Sequence, residues 1–317
     1  MSSVSTYLYE IISPILMIFG TAGSIINIIV FSQKNLRKNP CSIYFIAYNI
    51  VNFMYIYFSL LPQTMSSGYN IDYTTSSIVS CRLYFYAIFV LNALSSYYLI
   101  LASIDRTFIT SSNALTRQRS TCRLAYICIG IGTLFWILFH IHALIFTNIV
   151  QAGPNVKVCA PQRGTHNTFT TYYNIIEEMI VISLMLIFGI SYIKNIRNLG
   201  RIQVPAVSVS ATRANQIHGS NSFSRKDRQW ILMLLMETTI YAVCVGPFAF
   251  YLIYLQITLN EIKSTERLQL QNMIYNILIF TSAIPFCTGC YTNLIVSKTF
   301  RAEVKKIFSW IKIFNTR

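Results

Sequence analysis

LYFYAIFVLNALSSYYLILASI, residues 83–104, runs from Arg82 to Asp105 without one lysine, arginine, aspartate or glutamate. About 20 apolar residues wound as an α-helix cross the roughly 30 Å hydrocarbon core of a bilayer. The stretch is apolar throughout and does not alternate, so it reads as a helix and not as a barrel strand. A continuous helix also satisfies its own backbone hydrogen bonds, as lipid requires.

The same interval recurs along the chain. Residues 11–33, 39–71, 124–156 and 268–297 carry no charge. Between Arg163 and Lys194 the charges are Glu177 and Glu178, and between Arg228 and Glu261 the one charge is Glu237. Seven spanning helices follow, near 9–32, 41–64, 78–109, 121–148, 168–195, 226–256 and 267–297. The fold class is an all-α membrane bundle. Its organisation is a short outer N-terminus over 1–8, a seven-span domain over 9–297, and a tail over 298–317. Of 317 residues, 54% are hydrophobic and 11% charged, against about 25% charged in a soluble protein. Met1–Glu10 is acidic and the apolar run after it is long, so this run reads as a retained span and not as a cleaved signal.

Lysine and arginine set the orientation. Seven spans put Arg82, Lys157, Arg163, Lys263 and Arg267 on one side and every other lysine and arginine on the opposite side. The basic side is the cytoplasmic one, which places the N-terminus outside and the tail inside a plasma membrane. This distribution accounts for the net charge of +15 without nucleic acid. In the tail FRAEVKKIFSWIKIF, Phe300, Val304, Ile307, Phe308 and Ile311 share one helical face, with Lys298, Arg301, Lys305, Lys306 and Lys312 opposite. That pattern predicts an amphipathic eighth helix on anionic membrane lipid. The long polar inner loop of roughly 196–225, with RIQVPAVSVSATRANQIHGSNSFSRK, lacks periodicity and reads as mostly disordered, its serines either open to a kinase or simply solvated. No internal repeat suggests an inverted-repeat transporter. The eight cysteines lend little support to a zinc site, and no cofactor is expected.

Several spans carry residues in a recognisable order. The first holds GSIIN, Gly23–Asn27. The third begins at Cys81 and ends in SIDRT with Asp105 and Arg106. Trp136 lies midway along the fourth, and Cys159 follows in the second outer loop. Cys244, Val245, Gly246 and Pro247 stand in the sixth, and FRAEVKKIF follows the seventh. The whole chain resembles the rhodopsin-like G protein-coupled receptors, in the manner of a divergent invertebrate peptide or orphan receptor. It departs from the family pattern at Thr107 and Val245, around Gly289, Cys290 and Asn293 with Pro285 upstream, in a second span with Asn49 and Asn52 but no acid, and in a fifth span without proline.

The resemblance implies roles. Cys81 and Cys159 would form a disulfide over the helix mouth. Asn27 and Trp136 would be structural. Arg106 would pair with Asp105 and reach Asp227 as an inactive-state lock, although Asp227 could instead pair with Lys226 or Arg228. Cys244, Gly246 and Pro247 would form a hinge or a static bend. Tyr84, Ile88, Asn92, Glu177, Glu178 and Tyr275 would line a ligand cavity, with the glutamates facing a cationic group or else snorkelling to water. Ile88 stands where amine receptors carry aspartate, and 268–297 lacks the lysine that retinal needs. His140 and His142 read as core residues rather than metal ligands. Glu237 has no assigned role. The expected protein is a receptor, not an enzyme. It would bind an extracellular ligand, neuropeptide-like first and a small chemosensory molecule second, and would activate a heterotrimeric G protein through helices 3, 5 and 6. A kinase and arrestin would be further partners. A seven-span transporter is the alternative from another class.

Overall fold

The computed structural model describes residues 2–111, 113–153, 156–162, 164–202, 225–259 and 261–315. Seven helices long and apolar enough to cross a membrane follow one another: α1 Val4–Phe31, α2 Pro40–Tyr69, α3 Ile78–Ile109, α4 Cys122–Phe146, α5 Thr165–Asn195, α6 Arg228–Ile257 and α7 Thr265–Val296. The eighth helix, α8, spans Lys298–Asn315.

Local chemistry sets the helix starts. Side-chain oxygens of Asn39, Ser77, Thr121 and Ser264 accept backbone N–H bonds at the starts of α2, α3, α4 and α7, satisfying donors that the first turn leaves open. Pro40 follows Asn39, at a position where its missing N–H costs nothing. Asn70 ends α2 in the left-handed region at φ 58°, as a helix terminus favours.

The third span matches its expected limits. The first two are longer than expected, because helix begins at Ser2 and because α2 continues to Tyr69. Each contains a wide π-helical turn, Leu8–Ile12 in α1 and Ile56–Leu60 in α2, which takes an extra residue per turn. The fifth helix runs on to Ile202, so 196–202 is helical and not loop. The rest of the expected disordered loop, 203–224, lies outside the described residues.

The bundle is apolar outside as well as inside. Ile18, Ile131, Val243 and Phe250 are all more than 60% exposed, which suits a surface solvated by lipid. α3 is the central post, with Leu91, Leu94, Tyr98, Leu99 and Ala102 buried. Polar side chains cross the interior in pairs, as low dielectric demands. Asn27 Nδ2 donates to Asn49 Oδ1 at 2.7 Å, and Ser95 Oγ to Asn52 Oδ1 at 2.9 Å. Trp136 lies in an aromatic row on α4, its ring 5.1 Å from Phe135 and stacked 5.7 Å from His140.

The α3–α4 contact depends on a missing side chain. A Cβ on Gly132 would lie 2.1 Å from Cε1 of Tyr97, whose hydroxyl donates to the Cys128 carbonyl at 3.0 Å. Gly132→Ala must displace that ring, and overpacking of this kind costs about 1–3 kcal/mol. A thermal melt of the purified protein should therefore show a lower midpoint than wild type, and an unchanged midpoint would contradict the close packing.

Candidate functional site

One end of the bundle carries a disulfide and a hairpin. Cys81, at the start of α3, is bonded to Cys159, with Cα atoms 5.6 Å apart. Cys159 belongs to β2 (Val156–Pro161), which pairs antiparallel with β1 (Thr147–Gly153) and puts Ile149 opposite Cys159. The hairpin is tied to the helices at its base. Arg82 Nε donates to the Thr147 carbonyl at 3.2 Å, and Gln162 N to the Phe146 carbonyl at 2.8 Å. The turn signal Gly153-Pro154-Asn155 between valines could have announced this hairpin.

The expected ligand residues fall into two groups near this end. Tyr84 of α3 donates to Gln63 Oε1 of α2 at 3.0 Å, while Tyr9 of α1 donates to the Asn276 carbonyl of α7 at 3.0 Å. Tyr275 turns its ring toward Phe248 of α6, 5.9 Å away. On the other flank, Glu178 Oε2 accepts from Tyr241 of α6 at 3.2 Å, and Glu177 precedes it on α5. Ile88 and Asn92 are half-buried on α3. A groove of ≈ 790 Å³ lies between α1 and α2 and is lined by residues such as Met17, Ile18, Tyr57 and Leu61.

The opposite end holds the charged pair of α3. Arg106 is fully buried and Asp105 nearly so. The guanidinium pairs with the Asp105 carboxylate and also donates to Asn39 Oδ1, the cap of α2, at 2.8 Å. Ser120 donates to the other oxygen of Asp105. Each member of the pair thus has a further hydrogen-bond partner, which helps a buried ion pair to offset desolvation. The expected third member, the Asp227 side chain, lies outside the described residues.

A second tie at this end escaped sequence inspection. Gln229 Oε1 of α6 accepts from Ser297 Oγ at 3.1 Å and from the Thr299 backbone N–H at 2.9 Å, where α7 gives way to α8. Beside it the Trp230 ring lies 5.5 Å from Phe31 and 6.0 Å from Phe45, and Phe300 of α8 lies 5.5 Å from Phe31. Four elements are thus held by two hydrogen bonds and an aromatic cluster. The signal was weak, because one glutamine beside a tryptophan has no motif.

Glu237 gains a place in the fold. It is 1% exposed, and its Oε1 accepts from Thr292 of α7 at 3.2 Å. It fits against α7 because residue 289 is glycine; a Cβ there would lie 2.7 Å from that oxygen. On α6 the helix continues through Pro247. Gly246 is buried near Ile182 of α5, and Cys244 is half-buried. Cys287 and Cys290 form a C-x-x-C pair, which alone is only half of a four-ligand zinc pattern. Both are buried free thiols packed against Gly20 and Gly23 of α1, and among the described residues no metal-binding group of three includes them.

Seven spans, a loop hairpin pinned by a disulfide to the third helix, and a buried Asp-Arg pair at its far end define a heptahelical membrane receptor. Residues 23–305 match the family model described as 7 transmembrane receptor (rhodopsin family). The chain belongs to that family, whose members are receptors and not enzymes. No curated protein matches it.

Proposed function

We propose that this receptor lies in the plasma membrane with its disulfide end outside, binds an extracellular neuropeptide-like ligand, and activates a heterotrimeric G protein from its basic inner end. The lysine and arginine asymmetry supports the orientation, and a basic inner face suits acidic and phosphorylated partners. The observation that carries the reading is Arg106, buried without exposure and held by Asp105 and Asn39. A cation held at such cost is a functional group in reserve. Ligand binding favours a state in which the inner end of α6 moves away, the Gln229 and Trp230 contacts break, and the space around Arg106 opens to the G protein. Cys244, Gly246 and Pro247 are the proposed hinge for that movement, and Asp227 is a proposed further partner of Arg106 in the closed state.

The closed-state tie is testable without a ligand. Two neutral hydrogen bonds are worth about 1 kcal/mol each, and 1–2 kcal/mol shifts a two-state ratio by about 5–30-fold. Gln229→Ala combined with Trp230→Ala should raise basal nucleotide exchange by a factor of that order. Basal exchange equal to or below wild type, at matched surface expression, would contradict the tie.

A cationic ligand group suits Glu177 and Glu178, and this favours a basic peptide over a neutral small molecule. A charge-assisted hydrogen bond is worth about 1.5–3 kcal/mol, so Glu177→Gln should weaken a cationic peptide agonist by about tenfold or more and leave a neutral agonist nearly unaffected. Peptide and small-molecule panels screened against the wild type, read by calcium or cyclic nucleotide, identify the agonist. A response confined to small neutral molecules would favour the chemosensory reading, and substrate flux without nucleotide exchange would favour a transporter.

A further inference from the structure

We propose that Glu237 is a neutral carboxylic acid in this closed arrangement and gives up its proton when α6 leaves α7, so that opening of the receptor is linked to pH. The neutral acid follows from contacts alone, and the link to opening rests on the α6 movement put forward under the proposed function. Glu237 stands on α6 between the inner tie at Gln229 and the proline at 247, so a swing of the inner end about that proline must move it.

The contacts are too poor for a carboxylate. Thr292 Oγ1 lies 3.2 Å from Glu237 Oε1, but the same hydroxyl lies 2.8 Å from the Gly289 carbonyl. One hydroxyl proton is thus divided between two acceptors. The other oxygen, Oε2, is buried without a hydrogen-bond partner. Among the described residues no lysine, arginine or histidine pairs with Glu237. The buried charges of α3, Asp105 and Arg106, pair with each other. Tyr48 of α2 and Cys290 of α7 are the titratable groups that share its surroundings, and neither side chain can carry a positive charge. A buried charge with no counter-ion is so costly that the group neutralises instead. A neutral carboxyl also brings a proton of its own, so the contacts of Thr292 with Oε1 and with the Gly289 carbonyl can both be filled.

Opening changes these surroundings. Once the Gln229 tie breaks and α6 swings outward, Glu237 moves off Thr292 and Gly289, and water from the inner end reaches the carboxyl. A hydrated glutamate is ionised above about pH 4.3, so its proton passes to that water. The closed state therefore holds one proton that the open state does not. Acid favours the state that holds the proton, and the preference is lost as pH rises through the value at which the closed-state acid ionises. Between those two pH values a single proton changes the open-to-closed ratio by up to about tenfold per pH unit, with alkaline pH favouring the open receptor.

Infrared spectra of the full-length receptor in nanodiscs at neutral pH, minus those of Glu237→Gln, should contain the C=O stretch of one protonated carboxyl. The amide has the same shape and stays uncharged at every pH, so this variant keeps the closed contacts and loses the titration. Spin labels on unnatural side chains at positions 124 and 232, both exposed, report the separation of the inner parts of α4 and α6. The open fraction should rise with pH in the wild type, by up to about tenfold per unit, and stay level in Glu237→Gln. The labelled wild type is informative without the variant, since an open fraction that is level or falls with rising pH overturns the switch. No carboxyl band in the difference spectrum, or the same pH dependence in both proteins, overturns it too. Neither reading uses a G protein. An open fraction that follows pH while nucleotide exchange is absent supports the proton switch and counts against coupling. A carboxyl band without a second distance at any pH overturns the α6 movement, and the link to pH with it.

Discussion

Receptor carrying Arg106→Ala is expected to lose G protein nucleotide exchange completely, including the basal exchange released by Gln229→Ala with Trp230→Ala. Among the described residues the guanidinium is the one buried cation at that end of α3, and on the proposed reading its removal takes away the group that the G protein meets when α6 moves. The single substitution also strands Asp105, and breaking a buried pair from one side costs about 3–5 kcal/mol. Lost expression could then imitate lost coupling. Asp105→Asn with Arg106→Gln removes both charges and keeps hydrogen-bonding capacity toward Ser120 and Asn39. This double variant should reach the surface at near wild-type levels and still fail to couple. Normal exchange in the double variant, measured with purified G protein in membranes of matched receptor content, would remove Arg106 from the mechanism.

The second large effect concerns the opposite end. Cys81→Ser or Cys159→Ser opens a link across a sequence separation of 78. Loss of a native disulfide costs about 2–5 kcal/mol in small soluble domains, mainly by freeing the unfolded chain. Here the bilayer already confines the unfolded chain, so the lower half of that range applies. The functional loss should exceed the loss of stability, because the hairpin keeps only contacts such as Arg82 to the Thr147 carbonyl to hold it over the helix mouth. Either variant should therefore melt at a lower temperature and bind agonist at least tenfold more weakly, on the order of 1.4 kcal/mol. Identical melting and agonist affinity before and after reduction of the wild type would contradict this role.

Much of the bundle could be read from charge spacing, for a simple physical reason. Oil tolerates so few ionised groups that Arg82 and Asp105 each fall about one helical turn from an end of α3. Where a helix ends in uncharged polar residues, charge spacing has no grip. The polar run Gln63–Gly68 in α2 and Ser2–Tyr7 before α1 continue as helix, and the charge-free interval 124–156 hides the passage from α4 into β1. The pair Asp105–Arg106 and the cysteines could be placed because their chemistry is tied to ordered motifs. Gln229, Trp230 and Phe300 could not, since their meeting depends on how α6, α1 and α8 pack. Glu237 was visible as an anomaly but explicable only once Thr292 and Gly289 stood beside it.

Every assignment of inner and outer chemistry depends on the chain crossing the bilayer seven times with its two ends on opposite sides. Epitope tags at residue 1 and after residue 317, stained in intact and then permeabilised cells, test this directly. The account predicts that the N-terminal tag is stained in intact cells and the C-terminal tag only after permeabilisation. Both tags on the same side, or the C-terminal tag alone exposed in intact cells, would contradict it.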